Sequence, residues 1–77
     1  MKFPELLAAR LATLGMSQSE LADAMGVDRA ATCRWLSGET LPSRRLMGSL
    51  LDVLRVPVEH GRESPRRAML RAWLEAR

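Results

Sequence analysis

A cysteine nucleophile with a histidine base could come only from Cys33 and His60 in this chain of 77 residues, since each type occurs once. Covalent catalysis would need the two to converge, and neither has a sequence neighbour recognisable as its orienting partner. The same scarcity rules out a disulfide within one chain and nearly rules out a Cys/His zinc site. No glycine-rich phosphate loop, paired-carboxylate motif or metal-ligand spacing occurs, so neither catalysis nor a metal, cofactor or small-molecule ligand is expected. Arginine is abundant instead: eleven of the twelve basic residues are Arg. Its planar fork of donors matches phosphates and guanine edges. Coding bias is the plainer explanation, since Ile, Asn and Tyr are absent altogether. Composition alone leaves both open.

The charge is unevenly placed. Residues 28–55 set five arginines against Asp28, Glu39 and Asp52, and residues 62–77 set five more against Glu63 and Glu75, whereas residues 1–27 are slightly acidic. The net charge is +3. A chain of this length holds one core, so residues 1–77 are expected to form a single domain that buries only about 60% of its unfolded surface. Pro4, Glu5 and Arg10 interrupt the region where a secretory leader needs apolar residues. Gly48, Ser49 and Asp52 break the most apolar stretch, Leu46 to Leu54, so no membrane span is expected. These features and the single cysteine suit a soluble cytoplasmic protein.

Val and Thr supply the only β-branched residues, seven in all, and no segment alternates with period two. Apolar residues recur instead at helical spacing in five blocks. The first runs from about Pro4 to Leu14, with Leu7, Leu11 and Leu14 on one face, Phe3 as anchor and Gly15 as stop. Ser17 and Glu20 form a capping box for a second helix that ends at Gly26. Asp28 is placed to cap a third, from Arg29 to Leu36, closed by Gly38. Ser43 caps a fourth, from Arg44 to Arg55, with Leu46, Met47, Leu50, Leu51 and Leu54 as its buried face and Pro57 ending it. Ser64-Pro65 starts a fifth, about 64–77, whose stripe is Met69, Leu70, Trp73 and Leu74. The fold class is all-α.

Residues 17–38 are the informative segment. Two short helices flank Gly26-Val27-Asp28: Ala22 permits a close crossing, Gly26 tolerates the positive φ of a tight turn, and Val27 plugs the space between them. A second helix held that way protrudes far enough to enter a major groove. Gln18, Leu21-Ala22, Gly26-Val27, Arg34-Trp35 and Gly38 closely resemble the phage-repressor/Cro-like helix-turn-helix family, often called XRE. The helix order and Pro42 extend the resemblance to roughly residues 4–58, and it implies a compact five-helix fold of the lambda-repressor-like type. Three positions depart from the family pattern. Thr32 replaces a larger aliphatic and is expected to loosen packing, Cys33 replaces a common Ser, and Leu36 replaces an acidic residue and offers apolar surface to a partner.

The resemblance implies that the third helix reads bases in double-stranded DNA. Arg29, Ala30, Thr32 or Cys33, and Arg34 would be the base-contacting residues, arginine pairing with guanine and alanine touching a thymine methyl. Gln18, with the amides at the start of the second helix, matches a phosphate contact, and Ser43, Arg44 and Arg45 would hold the opposite phosphates. The bland alternatives are that these arginines are solvated helix-surface charges, that His60 is a loop residue and that Trp35 is core.

A lone domain of this kind covers one groove face, so a twofold pair is expected. Met69, Leu70, Trp73 and Leu74, with Leu54 and Val56, are the expected dimer interface, and folding of that helix back onto helices one and four is the alternative. The function that follows is sequence-specific transcriptional regulation, as a homodimeric, Cro-like or controller-type repressor at a palindromic operator, with autoregulation included. An antitoxin or inhibitor-type module that grips a protein partner through Leu36 and the Trp73 stripe is the second hypothesis.

Overall fold

The turn after the second helix reverses the chain within three residues, and Gly26 makes this cheap: its φ is +66°, a conformation that costs glycine nothing. The computed structural model describes residues 2–55 and 65–77. Within them the chain forms α1 (Phe3–Leu14), α2 (Gln18–Met25), α3 (Arg29–Ser37), α4 (Arg44–Val53) and α5 (Pro65–Ala76), with no strand among the described residues. Val56, Pro57, His60 and Ser64 lie outside the described residues.

One core joins the helices. Phe3, Leu7 and Leu11 of α1, Leu21 and Ala22 of α2, Trp35 of α3, and Met47, Leu50 and Leu51 of α4 are buried, as is Leu54 just beyond α4. Helix α2 lies against α3 and α4, while α1 bridges α3 and α5. The capping box forms as expected: Ser17 Oγ accepts from the Glu20 amide at 3.1 Å, and Glu20 Oε1 accepts from the Ser17 amide at 3.0 Å. Asp28 occupies the cap position of α3, but its side chain accepts no capping bond there. Ser43 does cap α4, accepting from the Leu46 amide at 3.3 Å.

Helix α4 ends at Val53, earlier than the expected Arg55. The backbone turns left-handed at Arg55, and Arg10 of α1 caps the end that results. The Nε of Arg10 donates to the Leu54 carbonyl at 2.9 Å and its terminal nitrogen to the Arg55 carbonyl at 2.8 Å. A cationic fork at the negative end of a helix satisfies carbonyls that have no partner inside it. Arg55 itself has a φ of +54°, so the chain has already left the helical path before Pro57.

Most residues of the expected dimer interface lie instead in the core of one chain, the alternative of folding back. Met69 and Trp73 are 4% exposed and Ala72 is 8% exposed, all within the core of a single chain. The indole Nε1 of Trp73 donates to the Pro42 carbonyl at 2.8 Å. Leu70 is partly buried against the same cluster, and of the four residues only Leu74, at 58%, is exposed. Leu54, also assigned to that interface, is fully buried. Energetics decide between the two arrangements. Burying an aromatic of about 200 Å² at about 25 cal/mol per Å² stabilises by roughly 5 kcal/mol. Folding back captures this within one chain, whereas association must first offset an estimated 4–15 kcal/mol of lost freedom.

Leu36 also departs from expectation. It is partly buried and packed on the core, so it does not stand out as apolar surface.

Candidate nucleic-acid interface

Helical geometry sorts α3 into two faces. At about 100° per residue, Arg29, Ala30, Cys33, Arg34 and Ser37 share an arc of about 140°. All five are exposed. The remaining positions turn inward: Trp35 and Thr32 are buried, and Ala31 and Leu36 are half-buried. Trp35 therefore anchors the helix from beneath while the opposite face is presented to solvent.

Thr32 is a correction. It was expected to stand with Cys33 as a base-contacting residue, yet it is 0% exposed. Its hydroxyl lies 2.9 Å from the Arg29 carbonyl and 3.4 Å from the Gln18 carbonyl, as donor to both. A side chain closed off in this way cannot reach a groove. No buried side-chain polar atom among the described residues lacks a partner. Sequence reasoning stopped at Arg34 and missed Ser37, one position further along the same face. Its hydroxyl donates to the Arg34 carbonyl at 3.1 Å.

Gln18 is the first residue of α2 and is exposed. The capping box occupies the amides of Ser17 and Glu20 and leaves those of Gln18 and Ser19 outside it. These amides, with the positive end of the helix dipole, form a donor set of the kind that receives a phosphate. Ser43, Arg44 and Arg45, all exposed, begin α4.

The electrostatics of the helix starts is informative. Helices α1 and α2 carry Glu5 and Glu20 in their first turns, whereas α3, α4 and α5 carry no acid there. Arg29 opens α3, and Arg44 and Arg45 open α4. Each cation at a positive dipole end costs about 0.3–1 kcal/mol at low salt. Among the described residues, Arg29, Arg44 and Arg45 enter no ion pair that would offset this. Arginines held at helix starts against the local field, and left facing solvent, are poised for an external polyanion. Coding bias accounts for their number but not for this placement.

Cys33 lies exposed between Arg29 and Ala30 on the same face and is a free thiol. No group of three or more His, Cys, Asp or Glu is arranged to hold a metal among the described residues. No helix of the described residues is long and apolar enough to cross a membrane.

Comparison with known proteins agrees with this arrangement. The family model described as Helix-turn-helix matches residues 6–60, which contain most of α1 and all of α2, α3 and α4. No curated protein and no solved structure matches the chain significantly.

Proposed function

The chain belongs to the phage-repressor and Cro-like helix-turn-helix family of DNA-binding domains, and from that premise we propose that it is a sequence-specific transcriptional repressor acting as a pair of chains on a palindromic operator. The family is one of DNA-binding regulatory domains rather than enzymes. The observation that carries the proposal is the outward face of α3, where Arg29, Ala30, Cys33 and Arg34 stand exposed opposite the anchoring Trp35.

Helix α3 lies in the major groove. Arg29 and Arg34 pair bidentately with guanine, Ala30 meets a thymine methyl, and Cys33 sits between them against the groove floor. The amides of Gln18 and Ser19 receive one backbone phosphate, and Ser43, Arg44 and Arg45 hold phosphates across the groove. These phosphate contacts fix register and supply salt-dependent affinity, while the α3 contacts supply discrimination.

One domain covers one groove face, and two copies about 34–36 Å apart on the duplex read two half-sites. With Met69 and Trp73 committed to the core, the pairing surface lies elsewhere and the symmetric operator itself brings the copies together. The competing function, a module gripping a protein through Leu36 and Trp73, loses its motivating surface because both residues pack inward.

Selection from a randomised duplex pool tests the proposal. A twofold-symmetric motif bound by two chains is expected, and a pool that enriches no motif contradicts it.

A further inference from the structure

Thr32 is the buried polar side chain among the described residues, and its hydroxyl lies between two backbone carbonyls that belong to different helices. One is that of Arg29, 2.9 Å away, the first residue of α3; the other is that of Gln18, 3.4 Å away, the first residue of α2. These are the residues to which the functional reading assigns a base contact and a phosphate contact. We propose that Thr32 is a positioning residue for DNA discrimination, its hydroxyl setting the distance between the phosphate-gripping start of α2 and the base-reading start of α3; the proposal rests on that reading.

The physical case has three parts. A hydroxyl carries one hydrogen, so the short bond to Arg29 is the principal one and the longer approach to Gln18 is the weaker, shared component. Both carbonyls also accept from amides within their own helices, so removing the hydroxyl leaves neither without a partner. An aliphatic residue of the same shape would therefore leave the fold standing, but with carbon against the Gln18 carbonyl instead of a donor. The spacing between the two helix starts would then depend on packing alone. Displacement of a bidentate contact by a fraction of an ångström is enough to lose its directionality, whereas a phosphate contact tolerates it.

Thr32→Val and Thr32→Ser separate the hydroxyl from the methyl. Each is measured beside the wild type on the best duplex enriched from a randomised pool and on a shuffled duplex of the same composition, at several salt concentrations, with thermal unfolding alongside. The expected result for Thr32→Val is a folded protein whose affinity for the shuffled duplex and whose salt dependence are unchanged, but whose preference for the enriched duplex falls about fivefold to tenfold. Thr32→Ser, which keeps the donor, is expected to restore most of that preference. A Thr32→Val protein that discriminates as well as the wild type overturns the positioning role alone. Equal losses in both variants also overturn it, by assigning the effect to the methyl. A wild type that prefers no duplex overturns the DNA-reading function, and the positioning role with it.

Discussion

The indole N–H of Trp73 donates to the main-chain carbonyl of Pro42 across 2.8 Å, in a contact closed to solvent and spanning 31 residues of chain. It ties the end of α5 to the strap between α3 and α4, the strap that leads directly to Ser43, Arg44 and Arg45. The C-terminal helix thus braces the segment carrying one set of phosphate contacts.

Substitution of Trp73 is therefore expected to act on stability. Trp73→Phe removes the donor and leaves a buried carbonyl without it, at a cost of about 1–3 kcal/mol. Trp73→Ala adds a cavity and costs about 3–5 kcal/mol, a large share of what a domain this small has. Urea titration followed by circular dichroism measures both. An unchanged unfolding midpoint in Trp73→Ala would place the side chain on the surface.

Residue patterning made much of this fold legible, and its limits have identifiable causes. The Ser17–Glu20 box, Gly26-Val27 and the spacing of Leu7, Leu11 and Trp35 are local signals, and each marks an element that forms. The stripe of Met69 and Trp73 was equally legible as a stripe, but periodicity shows that a face is apolar and not what it meets. The Pro42 carbonyl that receives Trp73 has no side-chain signature at all. Thr32 lies one turn before Leu36 and three residues before Trp35, on the inward side of α3, a placement that the helical period gives and the resemblance does not. Arg29, Ala30, Cys33 and Arg34 follow from the family resemblance, and the helical period places the four on one exposed face.

Arg10 is expected to matter as a cap. It holds the chain just beyond α4 through two charged hydrogen bonds, to the carbonyls of Leu54 and Arg55. Arg10→Ala is expected to lower stability by about 1.5–3 kcal/mol. Arg10→Lys should recover only part, because an ammonium lacks the fork that reaches both carbonyls. Chemical denaturation of the two variants checks this, and equal stability of wild type and Arg10→Ala would remove the capping role.

Base-reading and phosphate-holding arginines should separate by what they change. Arg29→Ala is expected to relax preference at one base pair by about 1–3 kcal/mol while keeping the salt slope. Arg44→Ala is expected to weaken all duplexes alike and to reduce the slope of log affinity against log salt by about 1. Binding curves on single-base operator variants at several salt concentrations distinguish them. Exchange of the two patterns would invert the assignments.

The exposed thiol of Cys33 reports on the α3 face directly. Maleimide alkylation is expected to modify the free protein, to be slowed by operator duplex but not by a shuffled one, and to weaken operator binding by at least about tenfold, or 1.4 kcal/mol. Alkylated protein that binds at full affinity would show that α3 does not enter the groove by this face.

Titration of the DNA upstream of the protein's own gene, against a shuffled duplex near 150 mM salt, tests the central claim most directly where the repressor is autoregulatory. The account predicts a preference on the order of a thousandfold, saturating at two chains per site. Equal, weak binding to both duplexes, together with no motif enriched from a randomised pool, would contradict it.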